Sequence, residues 1–380
     1  MKILCPLNQL REAFNVVIQA VPNKTTADAL NYVLARAENN ILKLYSYNME
    51  TGIIYSLPCN VIEEGLFTLN ARLFQDILRK LPEGEINLYT EDNNIIRIQS
   101  DKAKFNIHYI DPEIFPEISI IEESEKKGSF RIRESVLAAM INKTLFSAAK
   151  DSIRRLFNSL YFNIYDGTLD VVGLDGYRLA LARRHFENDE FAEDFKESKS
   201  LIIPSKAFHE LKSSLDENNK ENSIFTISYS ANKVLIENEK IKLISSIFEG
   251  EYCDYKQMIP DSFKSEIIID KDSFYDAIDR STLILNNNIE KRKQVTIFTD
   301  DGDALKIKSE SGVGDMAEQI PIELSGENID LDFNSLFIIE ALKVVSDEKI
   351  KFSSNGSLGA CTITPIEGDS YLLLLLPVRK

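Results

Sequence analysis

Leu7, Leu10, Phe14, Val17 and Ile18 recur at the three- and four-residue spacing of one buried helix face, with Gln9, Arg11 and Glu12 turned outward. Val21-Pro22-Asn23 ends that helix. Strands are predicted over 32–37 and 41–47, joined by the turn-like Glu38-Asn39-Asn40. After a second helix, Leu81-Pro82-Glu83-Gly84 is a stop signal. Ala103, Phe105, Ile107 and Tyr109 then alternate with Lys104, Asn106 and His108, the period of a half-buried strand.

The pattern then returns. Val136, Leu137, Met140 and Ile141 share a helix face, and hairpin turns are predicted at Asp166-Gly167 and Asp175-Gly176. A third round opens with Phe274, Ile278 and Leu283 on a helix, turns at Asp301-Gly302, and has a late helix from Asn334 to about Val345. The second helix of each round marks the repeat: 70–78 around Arg72, Phe74 and Ile77; 204–211 around Lys206 and Phe208; 332–339 around Asn334 and Phe337. Each is a polar start followed by a bulky apolar stripe. Arg72 and Lys206 are 134 positions apart, and Lys206 and Asn334 are 128 apart, which is the length of a domain and not of a solenoid repeat. Boundaries fit the charged run 122–128 and the joint at Ile259-Pro260-Asp261-Ser262. The expected architecture is α+β, three similar domains over 1–126, 127–261 and 262–380, each with two helices on antiparallel sheet.

The composition is that of an ordinary folded protein, with 44% hydrophobic and 27% charged residues in 380. Cys5, Cys59, Cys253 and Cys361 are widely spaced and form no CxxC, so reduced thiols are expected and a zinc site is not. Residues 1–7 carry one basic residue and too short an apolar stretch for a signal peptide, and the apolar run 372–376 falls far below the roughly 20 residues of a membrane span. A cytoplasmic location is expected.

Chemical motifs are sparse. Gly312-Val313-Gly314-Asp315-Met316-Ala317 matches a dinucleotide-binding string, but strand-like sequence and Pro321 follow where a helix is required, so a glycine-rich surface loop is expected. No GxxxxGK[ST] occurs. His108, His185 and His209 lack ligand-spaced neighbours, and Asp300-Asp301-Gly302-Asp303 lacks the later ligands of a calcium loop. No catalysis, cofactor or metal is expected.

A net charge of −16 argues against a protein that coats nucleic acid through bulk charge. The cations are nevertheless organised: Arg72, Arg79 and Lys80 flank one apolar stripe, Lys143, Lys150, Arg154 and Arg155 lie on and after the second module's first helix, and Lys206, Lys212 and Lys343 recur on later helices. Singly, each reads as a solvated helix face. Together they predict a cationic helix side and an acidic sheet side.

With Leu81-Pro82-Glu83-Gly84, Phe115-Pro116, Asp175-Gly176-Tyr177-Arg178-Leu179-Ala180, Asp254-Tyr255, Ile259-Pro260 and the terminal Pro377-Val378-Arg379, the whole chain resembles the bacterial DNA polymerase III beta subunits, the sliding clamps. The resemblance implies a head-to-tail homodimeric ring with helices lining a hole that holds double-stranded DNA without base readout. It implies DNA contacts at Lys24, Arg72, Lys150, Arg154, Arg155 and Lys206. A second implied site is an apolar cleft between modules two and three that docks short peptides of the polymerase III catalytic subunit, the clamp loader, other polymerases and repair proteins. Its residues would be Phe157, Leu174, Gly176, Tyr177, Arg178, Leu179, Cys253, Gln257, Met258, Leu374, Leu376, Pro377, Val378 and Arg379. At the dimer joint the resemblance sets Lys102, Lys104, Phe105 and Ile107 against Leu283 and Ile284, with Glu310, Asp315 or Glu318 as acidic partners. A multidomain hydrolase using Asp175 and Arg178, and a protein-only scaffold, stand as the alternatives.

Overall fold

The computed structural model describes every residue except 92, 102, 188, 219–222, 286–292, 301–302, 358 and 379–380. One order of elements occurs three times, with an extra strand, Asn60–Glu63, in the first round. The first module runs β1 (Lys2–Pro6), α1 (Leu7–Val17), β2 (Tyr32–Glu38), β3 (Ile41–Tyr47), β4 (Thr51–Pro58), β5 (Asn60–Glu63), β6 (Gly65–Asn70), α2 (Ala71–Lys80), β7 (Glu85–Glu91), β8 (Ile95–Gln99) and β9 (Lys104–His108). The second runs β10 (Gly128–Arg133), α3 (Glu134–Thr144), β11 (Ser159–Tyr165), β12 (Thr168–Leu174), β13 (Arg178–His185), β14 (Lys199–Pro204), α4 (Ser205–Leu211), β15 (Ile224–Tyr229), β16 (Lys233–Glu237) and β17 (Ile241–Ser246). The third runs β18 (Ser265–Asp270), α5 (Lys271–Leu285), β19 (Gln294–Thr299), β20 (Ala304–Ser311), β21 (Gly314–Gly326), β22 (Asp330–Asn334), α6 (Ser335–Lys343), β23 (Lys349–Ser354), β24 (Cys361–Pro365) and β25 (Tyr371–Leu375).

The polar starts of two of the recurring second helices, α2 and α6, are caps. Asn70 Oδ1 accepts from Leu73 N at 3.1 Å at the head of α2, and Asn334 Oδ1 accepts from Leu336 N at 3.1 Å at the head of α6. At the other end of α2, Arg11 donates to the carbonyls of Leu78 and Leu81, placing a cation where the helix dipole is negative. Helix α1 stops at Val17 and tightens into a 3₁₀ turn, Ile18–Ala20, before Pro22.

Asp166 and Gly167, with φ of 45° and 71°, make the two-residue hairpin turn between β11 and β12. Gly312 and Val313 sit in the hairpin between β20 and β21, so strand follows the glycine string and no helix does. One expectation fails: Leu283 is not on the buried face of α5 but is 66% exposed. The buried stripe is Phe274, Ala277, Ile278, Ser281, Thr282 and Leu285, and five residues beyond Ile278 is about 140° further round the helix. The turn expected at Asp301-Gly302 lies outside the described residues.

Sheet pairing crosses the module joints. The chain divides into two compact units, Met1–Ala138 with Lys206–Phe248, and Ala139–Ser205 with Glu249–Lys380. In the first unit an eight-stranded sheet has the order β10-β15-β16-β17-β4-β3-β2-β6, beside a five-stranded sheet β5-β1-β7-β8-β9. In the second unit one twelve-stranded sheet has the order β14-β11-β12-β13-β25-β24-β23-β18-β21-β20-β19-β22. Two joints therefore follow one rule, β4 with β17 and β13 with β25, each antiparallel. Residues of the second module thus contribute to both units, because backbone hydrogen bonds tie its strands to their neighbours on either side.

Candidate functional site

Alternation along β13 and β25 builds a two-sided wall. Leu179 and Leu181 face one way with Val172 and Leu174 of β12 and Leu374 of β25, all buried in one cluster. Ala180, Tyr371, Leu373 and Leu375 face the other way, into the core around α5 and α6. The chain between β17 and β18 lies over the first face, where Tyr252, Cys253, Tyr255 and Ile259 pack together with Phe157, Tyr161, Ala360 and Leu372. The rings of Tyr161 and Tyr252 stack with centroids 4.6 Å apart.

The rim is open and apolar. Tyr177, Met258, Leu376 and Val378 are 65%, 44%, 41% and 39% exposed, although large apolar side chains are normally withdrawn from water. The turn before β13 is held by Asp175 Oδ1, which accepts from Tyr177 N at 2.9 Å and Arg178 N at 3.1 Å. Gly176 adopts φ 94°, and a Cβ there would touch the Phe157 ring at 3.4 Å. Leu376 N donates to Tyr177 O at 2.9 Å, and Val378 N to Asp332 O at 2.7 Å, which aligns Pro377 and its neighbours beside the turn. Gln257 is turned to Asp254, Nε2 to Oδ2 at 2.9 Å. Burial raises the pKa of the Cys253 thiol.

Arg178 is the exception among the cleft residues. Its backbone is at the rim, but its side chain follows Ala180 to the opposite face of β13. There Nε donates to Asp175 Oδ2 at 2.9 Å, Nη2 donates to Phe146 O at 2.8 Å, Nη1 pairs with Glu340, and the guanidinium lies 4.5 Å from the Phe337 ring centroid. It is a strut behind the cleft, because the strand period sends residues 178 and 179 to opposite sides. Asp175 and Arg178 are thus engaged in shaping the turn. Arg379 lies outside the described residues.

Below the cleft is a polar group that the sequence reading missed. Asp170, fully buried on β12, accepts from Arg183 Nε at 2.7 Å and Nη2 at 2.8 Å, from Tyr165 Oη at 2.9 Å and from Tyr255 Oη at 2.8 Å. Burial, reinforced by Asp170, pushes the Tyr165 phenol up to about 12. Arg183 also reaches Asp369 at 3.1 Å, as does His185. The phenol of Tyr255 thereby fastens the 3₁₀ turn Tyr255–Met258, and so Gln257 and Met258, to the sheet. The available signal was a carboxylate inside the apolar run Leu169-Asp170-Val171-Val172. Val172, Leu181, Tyr161, Tyr252, Ile259 and Ala360 were also missed; the period of two through Leu179 and Leu374 reaches Leu181 and Leu372.

All six cations expected on DNA are exposed. Lys24, Arg72 and Lys206 belong to the first unit; Lys150, Arg154 and Arg155 belong to the second. Arg72 Nη2 donates to Asn23 Oδ1 at 3.0 Å, and Lys206 pairs with Glu50 at 3.0 Å. Arg154 lies 5.6 Å from the Phe157 ring centroid, on a loop closed by Ser152 N to Asn158 Oδ1 at 2.8 Å. Lys24, Lys150 and Arg155 have no ion-pair partner among the described residues.

Among the described residues, β9 and the first part of β21 lack the cross-joint partner that β4, β13, β17 and β25 have. Among the described residues, β9 pairs only with β8, and it exposes Lys104, Asn106 and His108 while Phe105 and Ile107 are half-buried. The first part of β21, from Gly314 to Pro321, pairs with β20 alone, whereas 322–326 pair with β18. Ile284 is half-buried at the end of α5, and Glu318 of β21 is bound by Arg280 at 2.6 Å. Lys102 lies outside the described residues. Among those described, no cluster of three His, Cys, Asp or Glu is arranged for a metal, and no helix is long and apolar enough to cross a membrane.

Comparison with known proteins agrees along the whole chain. Residues 1–119, 131–254 and 256–379 match the N-terminal, central and C-terminal domains of the DNA polymerase III beta subunit. The beta sliding clamp of Halalkalibacterium halodurans is 28% identical over 378 residues, 96% of each chain, and that of Staphylococcus epidermidis is 26% identical over 383 residues, 98% of this chain and 97% of that one. Among solved structures, a putative DNA polymerase III beta subunit from Eubacterium rectale superposes with a TM-score of 0.87 at 29% identity, covering both chains fully. The sliding clamp of Bacillus subtilis gives 0.88 at 25% identity, covering all of this chain and 99% of that one. The fold is the three-domain fold of the DNA sliding clamps, helices on antiparallel sheet. The chain belongs to the DNA polymerase III beta subunit family.

Proposed function

We propose that two copies of this chain close head to tail into a ring that encircles duplex DNA and tethers the replicative polymerase, acting as a processivity factor with no catalysis of its own. The observation that carries the reading is the joint rule. The β4-type strand of one module pairs with the β9-type strand of the next at both internal joints, and the unused members of that series are β21 and β9. Pairing β9 of each copy with β21 of the other repeats the rule twice and leaves no such edge open. The same antiparallel register sets Lys104 opposite Ala317, next to Glu318, and Ile107 opposite Gly314, with Phe105 and Ile107 beside Leu283 and Ile284 at an apolar centre.

Enclosure removes the need for tight binding. Lys24, Arg72, Lys150, Arg154, Arg155 and Lys206 attract phosphates without reading bases, while the surplus carboxylates discourage adhesion elsewhere. The cleft along Leu174, Leu179, Leu374, Leu376 and Met258 takes short peptides with Leu and Phe anchors, carried by the polymerase III catalytic subunit, the clamp loader and other polymerases and repair proteins. These partners set the expected location, the cytoplasm. The test is retention: clamps loaded onto closed circular DNA should stay through gel filtration and leave once the circle is cut. Equal retention on linear DNA would overturn enclosure, and a native mass of one chain would overturn the ring.

A further inference from the structure

The joint between β4 and β17 repeats the cleft-bearing joint residue for residue. Ile241↔Tyr55 through Ser245↔Thr51 corresponds to Tyr371↔Ala182 through Leu375↔Arg178, so Ile54 stands for Leu181, Gly52 for Leu179 and Ile244 for Leu374. One pair of strands inward, Tyr45 stands for Val172. A cluster of Ile54, Leu235 and Ile244 with Tyr45 duly forms there, and two residues of the connecting chain, Ile118 and Ile121, complete it. Ile118 occupies the place of the missing leucine: a Cβ on Gly52 would meet Ile118 Cγ2 at 2.8 Å. Lys233 fastens the segment by donating to Ser119 Oγ at 2.7 Å.

We infer that residues 117–121 are a built-in occupant of a second docking groove, and that Ile118 and Ile121 confine partner peptides to one cleft per protomer. An extended segment with two aliphatic anchors, laid on the same strand positions that line the open cleft, is the chemistry of the partner peptide supplied in cis. Being covalently attached, it faces no competitor at ordinary concentrations. With the anchors gone, the groove would accept a peptide of the same Leu and Phe chemistry. The inference rests on the cleft reading above.

The experiment titrates a fluorescent short peptide bearing Leu and Phe anchors into the intact dimer, wild type and Ile118→Ser/Ile121→Ser. Wild type should bind one peptide per protomer and the variant two, the second about tenfold more weakly because Gly52 offers less wall than Leu179. An unlabelled peptide of residues 115–123 should compete at the second site only. One site in both proteins, with dimer mass and cooperative melting intact, overturns the inference. Absence of binding by wild type overturns the cleft reading itself, and this one with it. Should the double variant not assemble, Lys233→Ala loosens the segment without exposing a core residue, and failure of 115–123 and the fluorescent peptide to find a second site there would equally sink the idea.

Discussion

Two joints of one chain share a strand register and differ in what lies on them. At the β13–β25 joint the phenol of Tyr255 ties the connecting chain to Asp170 over the buried leucines, and an exposed apolar rim of Tyr177, Met258, Leu376 and Val378 lies beside it. At the β4–β17 joint the position of Asp170 is taken by Lys43, which pairs with Glu38 at 3.3 Å, and the position of Arg183 by Ser56. There the connector is fastened by Lys233 at Ser119, and Ile118 lies against Gly52. The two connectors thus differ in how they are tied, one through a buried carboxylate and the other through Ile118, Ile121 and the Lys233–Ser119 hydrogen bond. Duplicated frameworks diverge where a linker is tied, while their ladders stay alike.

The largest effect should come from cutting that tie. Asp170→Ala leaves Arg183 and two tyrosine hydroxyls without their common partner and should cost about 3 to 5 kcal/mol, the usual range for breaking a buried pair from one side. Lys43→Ala, at the matching place in the other joint, should cost under about 0.5 kcal/mol, since its partner is an exposed-side glutamate. Denaturant melts of the two variants decide this. Comparable losses would remove Asp170 from its special role. Tyr255→Phe isolates the tether itself: peptide affinity should fall a fewfold with native dimer mass unchanged.

A second contrast concerns one glutamate in two settings. Glu340 of α6 pairs with Arg178, whereas Glu210, at the same place in α4, faces a joint where Thr51 stands in the position of Arg178. Glu210 Oε1 accepts from Asn48 at 2.9 Å, and the buried Oε2 has no hydrogen-bond partner among the described residues. Burial pushes its carboxyl up to about 7, against the pull of Lys206 and with a small push from Glu50. A raised folded-state pKa means the native protein holds this proton more tightly than the unfolded chain does. Stability from this group is therefore whole below about pH 4.5, is lost as pH climbs toward about 7, and stays lost above, by roughly 3 kcal/mol at most. Glu210→Gln should flatten that part of the stability–pH curve. An unaltered slope in Glu210→Gln would assign the pH dependence elsewhere.

The third contrast is at the rims. Leu376 of the open cleft corresponds to Ser246 in the filled groove. Leu376→Ser should weaken the anchored peptide about tenfold, near 1.4 kcal/mol, while leaving the melting temperature in place because the side chain is already exposed. Met258→Ala should act in the same direction and more weakly. Fluorescence anisotropy against thermal melts separates loss of contact from loss of fold.

Much of this contrast was legible in the chain and some was not. The helix stripe of α1, the two-residue turn at Asp166-Gly167 and the alternating β9 follow local periodicity, and the structure has them where the spacing sets them. Leu283 was misread because a helix stripe needs continuous counting, and residues five apart do not share a face. The cleft residues Leu174, Leu179, Leu374 and Leu376 came from resemblance, and the strand period then explains which of them share a side. Arg178 lay on the wrong side of that period. Asp170 could not be assigned from sequence, since its partners Arg183, Tyr165 and Tyr255 meet it only through strand pairing and a chain crossing 85 residues away. The same holds for Ile118, whose role exists only once Gly52 is known to face it.

The smallest effect separates the cations of the two units. Lys206 is already paired with Glu50, while Lys150 has no ion-pair partner among the described residues. A lysine that neutralises a phosphate releases about one counterion, so losing it should lower the log–log salt slope of DNA binding by about 0.9. Lys150→Ala should show close to that full change. Lys206→Ala should show less, because DNA must first draw the lysine from its carboxylate and the freed Glu50 then repels the backbone. Glu50→Gln sharpens the point, since it should raise affinity at low salt and restore the full slope increment to Lys206. Measured on loaded circles between low and physiological salt, equal slopes for Lys150→Ala and Lys206→Ala would mean that the Glu50 pair, exposed as it is, exerts no hold on the lysine in solution.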